Sequence, residues 1–179
     1  MTVRFKKLVE EAVLPVRAHE GDAGVDLTAL SVETEVNECG ELIIVYHTGI
    51  AVEIPEGYVG LLMSRSSISK KSLAQTNCVG TIDSNYRGEL IVKFRSTTTV
   101  IPAVYKAGER FAQLVLVPYL QYDVEEAQEL SETERGTDGF GSTGTAQLNE
   151  DITRGSAPEE TEVVSEQAAE DQSTSEQAQ

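Results

Sequence analysis

The chain has no tryptophan, two cysteines and two histidines, and its 14 lysines and arginines face 30 aspartates and glutamates across 179 residues. Each scarcity excludes something. At a formal net charge of −16 there is no basic surface for the counterion release that drives non-specific nucleic-acid binding, and no nucleic-acid partner is expected. Cys39 and Cys78 are too few and too isolated for a zinc cluster or a disulfide-stapled scaffold. His19 and His47 form no H-E-x-x-H pair, and neither a G-x-S-x-G elbow nor a P-loop occurs. No apolar run approaches the roughly 20 residues that span a bilayer, and Met1 to Lys7 lacks the apolar stretch of a signal peptide. The expectation is a cytoplasmic protein with no membrane partner and both cysteines reduced.

The charge that is present is unevenly placed. From Thr145 to Gln179 there are nine acidic residues and one basic residue, Arg154, and no aromatic. Rich in Gln, Ser, Thr and Ala, this tail cannot bury enough apolar surface to offset its ordering entropy, so it is read as disordered. An unknown partner for it stays open. Residues 1–130 differ. Val32 to Val36 alternates apolar and polar, Leu42 to Tyr46 is a β-branched run, and Gly49 to Ile54 alternates again before Pro55. Tyr58 to Met63, Glu89 to Phe94 and Phe111 to Val117 are further short apolar runs, with turn signals such as Pro55-Glu56-Gly57 between them. Short strands at fairly regular spacing predict an all-β sandwich or barrel. One helix is expected over Ser66 to Leu73, capped by Ser66 or Ser67, with Ile68 and Leu73 facing the core. There is no internal repeat.

The segment Arg135 to Gly144 is the most distinctive. It joins a cation, four glycines, three hydroxyls and Phe140. Glycines let successive backbone N–H groups form an anion-binding nest, Arg brings a planar fork for phosphate oxygens, and Phe140 offers a face for a base to stack on. A G-x-G-x-x-G runs from Gly139 to Gly144, but the polar stretch before it and the acidic stretch after it exclude a strand–turn–helix dinucleotide site. These residues alone allow a nucleotide-gripping arm or a flexible linker.

Four other segments carry similar chemistry. In Ala23–Leu27, Asp26 points opposite to Val25 and Leu27 if the segment is a strand; it is then either solvent-facing or part of a site. Ser64-Arg65-Ser66-Ser67 gathers a cation, hydroxyls and the first amides of the expected helix, as a phosphate site or as a serine cap beside a solvated arginine. Gly80 to Gly88 reads as a β-hairpin, in which Asp83 either activates a water or only stabilises the turn. In Gly108 to Leu114, Gln113 shares a face with Phe111 if the strand is regular, as a satisfied core amide or a ligand contact.

Taken in order, these five segments resemble the five motifs of the homotrimeric dUTP pyrophosphatases, the dUTPases, over residues 2–144. The resemblance implies a jelly-roll-like distorted β-barrel over residues 1–130, a nucleotide-binding arm over 131–144 and an additional tail over 145–179. It implies a homotrimer with shared sites. One chain supplies Asp26, Arg65 and Gln113, a second the hairpin, and a third the arm. It further implies hydrolysis of dUTP to dUMP and pyrophosphate, which keeps uracil out of DNA, with Mg²⁺ as cofactor. Asp83 is then the base. Asn77, Gly80, Thr81 and Ile82 read uracil, with Ile91 on the return strand. Tyr86 packs under the deoxyribose. Arg65, Ser66, Ser67 and Gln113 cradle phosphate. Asp26 binds Mg²⁺ through water, the ion being held mainly by the substrate phosphates. Phe140 covers the base, and Arg135, Gly141, Ser142 and Thr143 clamp the outer phosphates. Two positions depart from the pattern. Asp138 stands where the arm usually has glycine, and Asn85 where an acid is common. The alternatives on the same fold are a dCTP deaminase and a trimeric dUTP-sensing regulator.

Overall fold

The structure is a computed structural model that describes residues 1–99 and 102–139. Phe140, Gly141, Ser142, Thr143 and the acidic tail lie outside the described residues. The chain divides into one unit over Met1–Glu125 and another from Glu126 onward.

The first unit is built from two antiparallel sheets. In one, β4 (Leu42–Glu53) is the longest strand and organises the rest. On one edge it pairs first with β3 (Ser31–Val36) and then with β1 (Arg4–Lys7). On the other it pairs with β8 (Glu89–Ser96), which carries β6 (Leu73–Gln75) at the sheet's end. The second sheet runs β2 (Gly24–Thr28), β9 (Arg110–Pro118), β5 (Tyr58–Ser64), β7 (Gly80–Ile82). This is the all-β architecture expected from the pattern of short apolar runs.

The sheets face each other across an aromatic core. Tyr46 of β4 stacks on Phe111 of β9 with ring centroids 4.7 Å apart, and meets Phe94 of β8 edge-on at 5.4 Å. Tyr46, Phe94 and Phe111 are fully buried, and burial of each such ring contributes about 1.5–3 kcal/mol. Tyr46 Oη also donates to the Tyr105 carbonyl at 3.2 Å and accepts from the Tyr105 N–H at 3.0 Å.

That burial pushes the Tyr46 pKa from 10.0 up to about 12, against a lowering by the backbone hydrogen bond with Tyr105. The folded state holds this proton more tightly than the unfolded state does. Its stabilisation is therefore complete below the unfolded pKa of 10.0 and is lost as pH rises toward about 12. The loss expected is about 3 kcal/mol. Denaturant midpoints of the protein and of Tyr46→Phe across that window check this: the native chain should lose more stability than the variant, and parallel curves would exclude it.

Three local expectations are corrected. The runs Leu42–Tyr46 and Gly49–Ile54 form one strand, not two. Gly49 makes this possible, with a φ of 65° at a shift of register toward β8. A Cβ there would stand 2.8 Å from Leu30 Cδ2 and 2.9 Å from Ala12 Cβ, so both the conformation and the packing require glycine. The helix expected over Ser66–Leu73 is a 3₁₀ turn over Ser66–Lys70 without a side-chain cap, because Leu73 already belongs to β6. Finally, Gly80–Gly88 is not a simple hairpin. β7 pairs with β5 in one sheet, whereas β8 pairs with β4 and β6 in the other, so the segment crosses between the sheets. No helix among the described residues is long and apolar enough to cross a membrane.

Candidate active site

The crossover creates a cleft of about 420 Å³. Asn77, Gly80, Thr81, Ile82 and Asp83 line it from β7 and its flanks, Tyr86 from the turn, and Ile91 and Lys93 from β8. The sequence-predicted base, sugar platform and pyrimidine readers thus converge, although they come from both sheets. Asp83 is exposed, and its carbonyl accepts from the Tyr86 N–H at 3.1 Å, closing a tight turn. Arg87 Nη1 bridges the carbonyls of Ser84 at 2.7 Å and Tyr86 at 2.8 Å. Tyr86 Oη donates to the Glu89 carbonyl at 2.9 Å, which lays the ring over Gly88. A Cβ on Gly88 would stand 2.3 Å from that hydroxyl, so the ring position depends on the glycine. The turn is therefore held by its own backbone and its two following side chains.

A second cleft of about 460 Å³ shares no lining residue with the first. Asp26 of β2 and Gln113 of β9 are cross-strand partners there, joined by Arg65 and Ser66 at the end of β5. Asp26 is not a solvent-facing strand residue. It is buried, its Oδ1 accepts from Arg65 Nε at 2.9 Å, and its Oδ2 accepts from Arg110 Nη1 at 3.0 Å. Arg65 also donates to the Arg110 carbonyl at 3.1 Å. One carboxylate thus fixes two guanidinium groups, each with N–H groups to spare.

Gln113 does not sit on the core face with Phe111. The register between β2 and β9 slips between Leu27 and Thr28, so Phe111 and Leu114 are both buried while Gln113 turns to the cleft and donates to the Ser64 carbonyl at 3.4 Å. Ser67 does not line the cleft; its hydroxyl hydrogen-bonds to Tyr105 Oη at 2.9 Å.

In the second unit, Arg135 Nε donates to the Asp138 carbonyl at 3.0 Å, and the Gly136 N–H to the Thr133 carbonyl at 3.1 Å. Arg135 is exposed, in a turn that Gly136 makes with a φ of 54°.

Sequence reading missed two residues. Arg110 lies within Gly108–Leu114, pairs with Thr28 across the sheet, and only the tertiary structure shows its guanidinium donating to Asp26. Gln75 is buried at 7% exposure beside Asn77. A glutamine in a short run of mixed polarity gave no signal of its own.

A family model described as dUTPase matches residues 10–144. The deoxyuridine 5′-triphosphate nucleotidohydrolase of Corynebacterium diphtheriae is 45% identical over 143 residues, covering 79% of this chain and 92% of the relative. That of a Picosynechococcus strain is 42% identical over 147 residues, covering 81% and 100%. Among solved structures, the dUTPase of Staphylococcus bacteriophage 80alpha with dUPNHPP superposes with a TM-score of 0.67 at 33% identity, covering 80% of this chain and 99% of the phage protein. A dUTPase variant from phage phi11 of S. aureus, with a coordinated structural Mg(II) ion, superposes with a TM-score of 0.60 at 29% identity, covering 72% and 98%. Two clefts that gather four of the five motifs, a matching fold and this shared sequence lead to one conclusion: the chain belongs to the dUTPase family, the hydrolases of deoxyuridine triphosphate.

Proposed function

We propose that this dUTP diphosphatase acts by attack of water on the α-phosphorus, with Asp83 as the base and the two clefts holding opposite ends of the substrate. The observation that carries the reading is the convergence of Asp83, Tyr86 and the Asn77–Ile82 backbone on one cleft. Pyrimidine enters against Asn77, Gly80, Thr81 and Ile82, with Ile91 opposite. Tyr86 lies under the sugar, where a 2′-hydroxyl would meet its ring. Asp83 takes a proton from water while the water oxygen bonds to the α-phosphorus. The bond from that phosphorus to the α,β-bridging oxygen breaks, and pyrophosphate leaves with its electron pair. Little covalent help is needed, because phosphoryl transfer depends mainly on position and charge neutralisation.

Arg65, Ser66 and Gln113 in the second cleft, with Arg110 beside Asp26, supply that neutralisation. Steric exclusion of a 5-methyl group by this cleft of Asp83 and Tyr86 is the basis on which uracil is preferred to thymine in this reading.

Mg²⁺ fits this donor set in one way only. Among the described residues no three His, Cys, Asp or Glu side chains gather, so the chain offers no cage of its own. Asp26 is a single carboxylate whose oxygens already face two arginines. Mg²⁺ keeps several waters and takes one or two carboxylates alongside phosphates, which suits an ion carried by the triphosphate and contacted by Asp26 through water. When bound it would draw charge from the phosphate oxygens.

The separation of the two clefts supports a homotrimer in which one chain's cradle serves another chain's Asp83 and a third lends the arm carrying Arg135, Phe140, Gly141, Ser142 and Thr143. Leu120, Tyr122 and Val124, alternate in sequence and 80–90% exposed, support an assembly that covers them. Pyrophosphate release from dUTP and from each common ribo- and deoxyribonucleoside triphosphate, with and without Mg²⁺, tests the activity. Release from dUTP alone, strengthened by Mg²⁺, is expected. Ammonia release from dCTP would favour the deaminase alternative.

A further inference from the structure

Gln75 lies at the end of β6, largely buried, on the wall of the pyrimidine cleft where it meets β5. Its amide orientation is fixed by what surrounds it. The Leu62 carbonyl can only accept, so the amide atom 3.0 Å from it is Nε2. The Ser64 hydroxyl donates to the other atom, Oε1, at 3.2 Å. The second hydrogen on Nε2 points to Asn77 Oδ1, also at 3.0 Å.

Asn77 inherits this orientation. With Oδ1 occupied as an acceptor, its Nδ2 is the atom left to face the cleft, and no described residue accepts from it. Gly80 borders that donor, with the position of a Cβ there 3.5 Å from Nδ2. An outward N–H donor pairs with a carbonyl oxygen at C4 of a pyrimidine. It is mismatched with an amino group there, where two donors would meet. An Asn77 amide turned the other way would reverse the preference.

We infer that Gln75 is a positioning residue that sets the C4 specificity of the cleft, relaying the polarity of the Leu62 backbone carbonyl through two amides to the base. The inference rests on the proposed reading of this cleft as the pyrimidine site. Uracil is then selected over cytosine by a strand carbonyl in the sheet behind the site.

The test is equilibrium binding of dUMP and dCMP to the full-length protein and to three variants. Asn77→Ala examines the cleft reading by itself and should lose most dUMP affinity. If it binds dUMP like the native chain, the reading of the cleft falls and the relay with it. Gln75→Met keeps the length but removes the donor, freeing Asn77 to turn. The dUMP-over-dCMP affinity ratio should fall by about tenfold, the scale of one misdirected hydrogen bond. Gln75→Glu can only accept, so Asn77 should turn to donate to it and present Oδ1. The ratio should fall further, with dCMP binding gained in absolute terms. A merely structural role would weaken both nucleotides alike and leave the ratio unchanged. That result in a folded Gln75 variant, with Asn77→Ala impaired, overturns the relay alone.

One measurement needs no variant. Both Gln75 Nε2 hydrogens are engaged, so its side-chain amide should exchange with solvent about tenfold or more slowly than an exposed glutamine. Exchange as fast as theirs also overturns the relay.

Discussion

Asp83→Asn should lower turnover of dUTP by about 10²-fold or more, the usual scale for losing a general base, while substrate binding is kept. The substitution preserves shape and removes only the proton acceptor. The turn around it should survive, because the hydrogen bonds that close it come from the Asp83 carbonyl, the Tyr86 N–H and Arg87, none of which changes. A loss of kcat with little change in KM is therefore expected. Near-native turnover would remove Asp83 from the mechanism. An equal rise in KM would instead place it among the binding groups.

Removal of the arm should be as damaging as loss of the base, and removal of the tail should not. A chain ending just after Gly144 keeps every phosphate-binding constellation in the sequence, and should retain its assembly and most of its turnover. A chain ending before Arg135 loses a guanidinium, the Gly-rich segment and Phe140, and should lose most activity. Phe140→Ala should lie between, at a cost of about 1–3 kcal/mol by analogy with base stacking on aromatics. Mixing the arm-less chain with Asp83→Asn should restore some activity, since each lacks a different part and some mixed sites hold a full set. Full activity without the arm would return the Gly-rich segment to the linker reading. Mixed assemblies without recovery would refute shared sites.

Local pattern in the sequence carried the all-β architecture, and the resemblance of its five motifs to the dUTPases carried the chemistry expected of it. Apolar runs separated by turn residues specify strands, and the runs ending in Phe94 and beginning at Phe111 became β8 and β9 almost as read. Residue types such as Asp83, Arg65 and the glycines of the arm advertise phosphate chemistry without a fold. What local pattern cannot hold is which strand pairs with which. Alternation alone did not reveal that β7 leaves its sequence neighbour β8 for β5, and that crossover makes the cleft lined by Asp83 and Tyr86. Nor did it reveal the slip between β2 and β9, which turns Gln113 away from Phe111, or the meeting of Arg110 with Asp26. Gln75 is the clearest case. Its type and neighbours in sequence say nothing, and its role depends on a carbonyl 13 positions away that only sheet packing brings within 3.0 Å. Strand identity follows from short-range sterics and hydrophobic period, whereas register and crossover follow from which long-range pairings bury the most surface and leave no polar group unpaired.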